Sequence, residues 1–502
     1  MDVKEHLILS IDIGTTSVKY AIYDDKGNNI KSLRKKTPLI KKELNTVDVE
    51  AILECVINGI KEILNNEGIA NNIEVIGIDG QMGGIIGIDE DWNPVFNFDP
   101  PTNNNFKSHM NYILKNYSDI ISKRTGSIPI NGSKIVYWLK EQQKLCKSVK
   151  KFVILSGYII GKLCELNWRD AFIDRTSLYL FGLSEEGKWC NEIIKLLQIS
   201  SELLPVIKKS TDIVGFLGKK IADKCNIPSG IPVIAGCGDT AASFLGAGII
   251  EPGKLIDVAG TCSVFGICSN KALIDEKYRS LLRLEAPISG IYYLVGIGFG
   301  GEIHRWFIDN IAGPDVDYKS LINNTELIKP GSDNLMFFPF LGGSFIPPND
   351  YLRGTWLGLD WQHNKYHMYN SLLESIGYEY YYYYKIYQEL TKKSEAKNVM
   401  VIGGGSKNNL WNSIKANILG INYIKPYQLD YECWGTAVTA GIGIQLYSNI
   451  KDIINNNIKI ATIFRTDDNK HKDYKDLAKI YIELKKDMLD KIYQKYSITR
   501  RI

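Results

Sequence analysis

Two short segments, one near the start of the chain and one near its middle, carry residues that could hold a phosphate. The first is residues 12–17, DIGTTS, and the second is residues 257–263, DVAGTCS. In each, an apolar strand leads into a Gly-Thr turn that exposes backbone N–H groups and hydroxyls to an anion. The donors expected at the two turns are Gly14, Thr15, Thr16, Ser17, Gly260 and Thr261. Because the copies lie about half the chain apart, they predict a duplicated fold that closes on a polyphosphate.

Acidic residues accompany these turns. Asp12 ends an apolar strand, where an unpaired carboxylate would be costly to bury. A divalent cation explains this position, because Mg²⁺ can be held by one carboxylate while it bridges phosphate oxygens; the alternative is a hydrogen bond to the adjacent turn. Asp239 follows another glycine-rich turn and precedes Thr240, a pattern that also suits a helix N-cap. Lys19 points along the second strand of the first hairpin, and a surface charge is one interpretation of it.

The elements that must position these residues alternate between strands and helices in both halves. Hydrophobic spacing predicts strands over residues 73–79, 85–88, 292–297 and 398–402. It predicts helices over residues 49–65, 134–142, 151–163, 410–419 and 435–445, and a charged, solvated helix over 474–496. This order indicates an α/β chain of two domains, residues 1–248 and 249–502.

The composition favours a two-domain enzyme and excludes several other classes of protein. The chain has 502 residues, of which 45% are hydrophobic and 23% charged, and its formal net charge is +4. No basic run with aromatic spacing indicates a nucleic-acid surface, and no apolar stretch is long enough to span a membrane. The nine cysteines form no CxxC pair, which is typical of reduced thiols in a cytoplasmic protein.

Taken in order, these motifs resemble those of the FGGY carbohydrate kinases. The resemblance runs from about residue 7 to residue 447 and rests on residues 12–17, 80–82, 236–240, 260–263 and 403–406. Residues 353–359, RGTWLGL, with His367 and Glu374 after them, are similar to the C-terminal signature of that family. Its members share a duplicated actin-like, ribonuclease-H-like fold, so the resemblance implies two α/β lobes with a nucleotide cleft between them.

The resemblance also implies ATP and Mg²⁺ as cofactors and gives roles to particular residues. Asp239 would be the general base that takes the proton of the sugar hydroxyl, and Asp12 would hold the metal. The residues implied for adenosine are Gly403, Gly404, Gly405, Ser406 and Asn409. A triple glycine alone is equally typical of a tight strand-to-helix connection, so its place after the other motifs carries that assignment.

The sugar site departs from the pattern of the family. The candidates for substrate contact are Gln81, Met82, Asp99 and Asp239. Members of the xylulokinase type usually have His after Gln-Met, whereas this chain has Gly83, and they carry an Asp-x-Arg where Asn103 and Asn105 stand here. Loss of a charge pair changes which hydroxyls the site can bind. Asp99, which precedes two prolines, is equally well explained as the cap of a turn.

Three hypotheses of function follow. The leading one is an ATP-dependent kinase of a small sugar or polyol, with a ketopentose such as xylulose as the first guess and a homodimer as a possible assembly. The second is a nucleotide-binding sensor that kept the fold but lost sugar phosphorylation, which the altered sugar site motivates. The third is an actin-like polymer ATPase, which fits the hairpins but not the residues around Asp239.

Overall fold

The computed structural model describes residues 6–313, 315–392, 396, 398–427, 430–493 and 495. Each half of the chain contains a seven-stranded sheet, and none of the helices in the described ranges is long and apolar enough to cross a membrane. The last residues of the predicted 474–496 helix include positions outside the described residues.

The first sheet is built around the N-terminal hairpin, which we define as the strands Leu7–Ile13 and Ser17–Asp24 with their turn. The strand Leu7–Ile13 is buried throughout because it lies between the antiparallel Ser17–Asp24 and the parallel Ile73–Gly80. From edge to edge, the sheet has the order Ile213–Phe216, Pro232–Ile234, Ile73–Gly80, Leu7–Ile13, Ser17–Asp24 and Asn29–Lys36, and the short Cys237–Gly238 also pairs with Ile73–Gly80.

The second sheet repeats this arrangement around the C-terminal hairpin, formed by Leu255–Ala259 and Cys262–Ser269. Leu255–Ala259 pairs antiparallel with Cys262–Ser269 and parallel with Asn398–Ile402, as its counterpart does in the first sheet. The strand order is Leu282–Glu285, Tyr292–Phe299, Cys262–Ser269, Leu255–Ala259, Asn398–Ile402, Asn422–Pro426 and Ile460–Phe464. The predicted duplication is therefore present in the strand topology.

Two helices cross between the halves. Tyr431–Gly443, from the second half, packs on the first sheet, where Ser10 Oγ donates to the carbonyl of Cys433 at 2.7 Å. Asp239–Gly246, from the first half, sends Phe244 against Tyr293 of the second sheet. The two helices touch backbone to backbone, because a Cβ added at Gly435 would overlap the carbonyl oxygen of Ala242.

The remaining elements form a small third sheet, four two-stranded pairs and the outer helices. The third sheet has the order Pro94–Asp99, Ile85–Ile88 and Lys151–Val153. The pairs are Phe172–Asp174 with Val206–Lys208, Ser184–Glu185 with Lys188–Trp189, Met336–Phe338 with Thr355–Leu357, and Ser344–Phe345 with Pro348–Asn349. The other helices are Val49–Ile63, Glu67–Ala70, Lys107–Thr125, Ile130–Glu141, Gln143–Cys146, Leu155–Leu163, Asn191–Leu196, Lys219–Cys225, Gly301–Phe307, Tyr318–Thr325, Lys365–Thr391, Asn409–Leu419, Ile450–Asn457 and Asp468–Asp487.

Two predictions about secondary structure need correction. Residues 151–163 are a strand, Lys151–Val153, followed by the helix Leu155–Leu163, rather than one helix. The helix predicted over 474–496 begins earlier, at Asp468, and is not fully solvated. It buries Tyr481, whose hydroxyl donates to Glu379 at 2.6 Å, so one face of this helix belongs to the core.

Candidate active site

Asp12 lies at the end of a buried strand and faces charged neighbours on both sides. In the sheet register it is opposite Lys19 on one flanking strand and Asp79 on the other. The Lys19 Nζ is 2.8 Å from Asp12 Oδ2, 3.0 Å from Asp430 Oδ1 and 3.2 Å from Glu432 Oε2. Lys19 is therefore bound by three carboxylates, and its interpretation as a surface charge is wrong.

The carboxylates around Lys19 have the chemistry of a divalent cation site. Ligand oxygens of Asp12, Asp430 and Glu432 all lie within 4.8 Å of one another. Hard cations such as Mg²⁺ prefer oxygen ligands of this kind. Asp12 is 2% exposed, and its Oδ1 has no hydrogen-bond partner among the described residues. Burial raises the pKa of Asp12 despite the opposing charge of Lys19, so its ionised form is disfavoured unless a cation or a proton binds it.

Asp79 is a second buried acid beside Asp12. Its Oδ2 accepts a hydrogen bond of 2.6 Å from Thr436 Oγ1, on the crossing helix Tyr431–Gly443. Its Oδ1 has no hydrogen-bond partner in the described part of the chain. Burial, together with the negative charge of Asp12, raises the pKa of Asp79 well above its usual range. With both pKa values raised, a proton retained by the pair is favoured over two adjacent negative charges.

Asp239 is the first residue of the helix Asp239–Gly246, and Gly238 occupies the N-cap position proposed as its alternative role. Its side chain is partly exposed, and its Oδ1 accepts the N–H of Thr240 at 2.6 Å. Burial, followed by the negative charge of Asp12, raises the pKa of Asp239 to about 7. A carboxyl with such a pKa can accept and release a proton near neutral pH.

The two Gly-Thr turns differ in how they are held. In the first, the Gly14 N–H donates to the carbonyl of Ser17 at 3.1 Å, which closes the hairpin on itself. In the second, the Gly260 carbonyl accepts the N–H of Gly301 at 2.8 Å, which ties the turn to the start of the helix Gly301–Phe307. The residues exposed at these turns are Thr15, Thr16, Thr261 and Cys262. Hydroxyls are thus available at both turns.

A cavity of about 520 Å³ joins the first turn to the glycine turn of the second half. It is lined by Thr16 and Ser17 on one side and by Gly403 and Gly404 on the other. Gly403 has a φ of +84°, a left-handed conformation that favours glycine, and no atom of the described residues lies within 4 Å of a Cβ built on Gly404. The glycine turn therefore leaves its backbone open for a flat ligand to approach.

Of the other residues expected at adenosine, only Asn409 has an exposed side chain. Ser406 is buried, and its Oγ donates to the carbonyl of Gly403 at 2.7 Å, so the hydroxyl closes the turn. Gly405 packs against Trp411 and Ala259. Asn409 is exposed at the first position of the helix Asn409–Leu419, so its side chain is accessible to a ligand.

Among the residues expected at the sugar, the Gln81 N–H donates to the carbonyl of Ile13 at 3.1 Å, whereas Asp99 does not face a ligand. Met82 closely approaches Gly238, the residue before Asp239. Asp99 is 1% exposed, and its two oxygens are bound by Lys134 Nζ and Trp138 Nε1, each at 2.8 Å. The interpretation of Asp99 as a substrate contact is therefore corrected: this carboxylate anchors the helix Ile130–Glu141.

Asn103 and Asn105 also serve the local fold. Each side-chain amide donates to the carbonyl of Leu44, at 3.1 Å and 3.3 Å respectively. The carbonyl of Asn103 accepts from the buried Lys134 at 3.2 Å. These two residues hold the loop after the strand Pro94–Asp99 instead of replacing a charge pair at a sugar.

Both halves of the chain match the sequence pattern of a known protein family. The N-terminal domain of the FGGY family of carbohydrate kinases matches residues 7–246, and its C-terminal domain matches residues 257–444. The chain belongs to the FGGY family of carbohydrate kinases. It is therefore a sugar kinase with the actin-like two-lobe α/β fold, and the hypotheses of a sensor and of a polymer ATPase are set aside.

Relatives of this FGGY kinase carry different substrates in their names. It is 24% identical to a xylulose kinase of Bacillus subtilis over 94% of this chain and 95% of that protein. It is also 24% identical to a gluconokinase of the same organism, over 95% of both. Solved structures of a gluconate kinase and a xylulose kinase from Lactobacillus acidophilus both superpose with a TM-score of 0.87, cover 98% of this chain, and share 21% and 22% identity. These two solved structures share the fold of this chain.

Several residues at the candidate site of this FGGY kinase were not predicted from the sequence. Asp79 could have been found from the strand register, because it is a second acid at the end of a neighbouring parallel strand. Asp430 and Glu432 carry no such signal, because they reach Lys19 from more than 400 positions away. Only the crossing helix brings them to the first hairpin.

Proposed function

We propose that this kinase transfers the γ-phosphoryl group of Mg²⁺-ATP to a hydroxyl of a small sugar or polyol, with Asp239 as the general base. The observation that carries the proposal is the placement of Asp239. It begins a helix next to the N-terminal hairpin, is partly exposed, and has a pKa raised to about 7 by burial and by Asp12. A base must be ionised at working pH and must reach the hydroxyl it deprotonates.

The Mg²⁺ ion would be held by Asp12, with Asp430 and Glu432 next to it, because their oxygens are hard donors and Asp12 Oδ1 has no partner among the described residues. When bound, the ion would neutralise charge on the phosphate oxygens. Lys19, now shared by the three carboxylates, supplies a positive charge beside the first turn. The N–H groups and hydroxyls of residues 14–17, 260 and 261 would orient the phosphates.

The adenosine would lie along the open backbone of Gly403 and Gly404, with Gly405, Ser406 and Asn409 completing the turn. The supporting feature is the cavity of about 520 Å³ that runs from Thr16 and Ser17 to these glycines. Phosphoryl transfer needs little more than positioning and charge neutralisation, so donors on both sides of a cleft suffice for the reaction.

A ketopentose such as xylulose is our first proposal for the acceptor, and gluconate is the second. Gln81 and Met82 would contact it beside Asp239. The two relatives above are named for these two substrates at the same identity of 24%, so neither name outranks the other. Xylulose stands first because it is the acceptor proposed from the sequence, and we expect it to stimulate ADP release more than gluconate does.

The experiment is ADP release with Mg²⁺-ATP across ketoses, aldoses, polyols and sugar acids, with a no-sugar baseline. Asp239→Ala and the isosteric Asp239→Asn are measured beside the wild type, and nucleotide binding is checked by calorimetry. We expect one class of acceptor to stimulate the wild type only, while both variants still bind ATP. Full turnover in Asp239→Asn would remove Asp239 as the base. Gluconate as the best acceptor would replace xylulose.

A further inference from the structure

A buried hydrogen-bond chain ends on the residue that precedes Asp239. The Gly238 N–H donates to Thr176 Oγ1 at 2.8 Å, and the Thr176 hydroxyl donates in turn to Asp174 Oδ1. Gly238 is the N-cap of the helix that Asp239 opens. These hydrogen bonds therefore hold the backbone at Gly238, which sets the position of the Asp239 side chain.

The direction of this chain is fixed by chemistry. A backbone N–H can only donate, so the Thr176 oxygen accepts from Gly238 and its single proton must go to Asp174. Asp174 also accepts the N–H of Ser177 at 3.1 Å and the hydroxyl of Ser177 at 2.7 Å. These donors partly offset the burial that raises the pKa of Asp174 to about 6, so the side chain is ionised at neutral pH.

The Gly238 backbone is also held from its other side. Cys237 and Gly238 pair with Asp79 and Gly80 at the end of the strand Ile73–Gly80. That strand lies beside Asp12 in the sheet. The first sheet thus fixes one side of the turn before Asp239, and Thr176 fixes the other.

Asp174 also caps the short 3₁₀ helix Arg175–Leu180, where its side chain accepts the N–H of Ser177. It ends the short strand Phe172–Asp174, which pairs only with Val206–Lys208 in the described part of the chain and lies outside the first sheet. A buried carboxylate is costly unless it is used, and here its hydrogen bonds go to Thr176 and Ser177.

We propose that Thr176, oriented by Asp174, is a positioning residue that holds Asp239 where it can take the proton of the acceptor hydroxyl. This inference rests on the proposed role of Asp239 as the base. Neither residue touches substrate, since both are buried. A displacement of about 1 Å at a reacting group lowers a rate on the order of 10²-fold, so one lost hydrogen bond here has a measurable effect.

The test compares Thr176→Val, which keeps the shape but removes the hydroxyl, with Thr176→Ser, which keeps the hydroxyl. We expect Thr176→Val to lower kcat about 10- to 100-fold with an unchanged KM for ATP, and Thr176→Ser to stay within about threefold of the wild type. The acid limb of the pH–rate profile should also move in Thr176→Val only, because Asp239 shifts relative to Asp12. Thermal unfolding shows whether each variant is folded.

Three outcomes would overturn the inference. They are a wild-type kcat and pH profile in Thr176→Val, a Thr176→Ser variant as impaired as Thr176→Val, and a loss confined to KM. If Thr176→Val does not fold, Asp174→Asn takes its place, because the amide keeps the shape but weakens acceptance from Thr176.

Asp239→Asn, measured in the same series, separates this inference from the proposed function. If Asp239→Asn is inactive while Thr176→Val is normal, only the positioning role fails. If Asp239→Asn is fully active, the proposed base is wrong and the positioning role falls with it.

Discussion

The two hairpins share a backbone plan, but their aspartates have opposite surroundings. Asp12 is opposite Lys19 and Asp79, both ionisable, whereas Asp257 is opposite Phe265 and Val401, both apolar. Asp257 Oδ1 accepts from Tyr380 at 2.7 Å, and Oδ2 pairs with the fully buried Lys415. Asp12 instead keeps Oδ1 without a hydrogen-bond partner among the described residues.

The difference shows how a duplicated element can divide its roles. A carboxylate with both oxygens bound by buried donors stabilises its surroundings and has nothing left for a ligand. A carboxylate with one oxygen unbound, near two further acids, is held at a cost that a ligand can offset. We therefore expect the first hairpin to serve chemistry and the second aspartate to serve the fold.

The largest effect should be a loss of stability when Asp257, in the C-terminal hairpin, is changed. Asp257→Asn leaves the Lys415 ammonium buried without its counter-charge, and we expect a loss of about 3–5 kcal/mol in the free energy of unfolding, measured by urea titration. The double variant Asp257→Asn/Lys415→Met should recover much of it, because Met removes the unpaired buried charge while the Asn oxygen can still accept from Tyr380. A stable single variant would contradict a structural role for Asp257.

The matched change at Asp12, in the N-terminal hairpin, should lower kcat and leave stability nearly unchanged. Asp12→Asn is expected to lower kcat about 10²- to 10³-fold, since it removes the carboxylate that we propose to hold Mg²⁺ at the phosphates. The free energy of unfolding should change by less than about 1 kcal/mol, because Lys19 keeps Asp430 and Glu432 as partners. Steady-state kinetics and urea titration of the same preparation test both expectations. Near-normal kcat would remove the contrast between the hairpins.

Removing Lys19 should reveal the cation site directly. In Lys19→Met, three carboxylates lose the ammonium that they share, so added Mg²⁺ should take its place without nucleotide. We expect Mg²⁺ at 100 times its Kd to stabilise this variant by about 2.7 kcal/mol, seen as a higher Tm, and the wild type much less. Lys19→Met/Asp430→Asn is the control that should respond weakly. An equal response in all three proteins would place the ion elsewhere.

The pH dependence should give the smallest but most specific signal. Asp239 must be ionised to accept a proton, so kcat/KM should fall about tenfold per pH unit below a pKa of about 7. Part of that elevated pKa comes from the charge of Asp12, so the acid limb should move to lower pH in Asp12→Asn and stay in place in Asp257→Asn. An unmoved limb in Asp12→Asn would show that the two acids do not interact.

Local patterns in the sequence predicted the hairpins and the glycine turns well, because each depends on residues close together in the chain. Asp99 was misjudged since its partner Lys134 lies on a later helix, and no nearby residue signals that pairing. The role of Lys19 was left open for the same reason, because its partners Asp430 and Glu432 are distant in the sequence. The apolar run at 151–163 could not be divided by periodicity alone, because short apolar strands and buried helices look alike.

The crossing helix Tyr431–Gly443 has a consequence for synthesis on the ribosome. It supplies Trp434, Ala437 and Val438 to an apolar cluster that also contains Ile8 and Val75 of the first sheet. That sheet cannot finish its core until this helix has emerged, roughly 200 residues after the first half is complete. At typical translation rates the delay is about 10–40 s. During that interval the nascent chain exposes one apolar face of its first sheet.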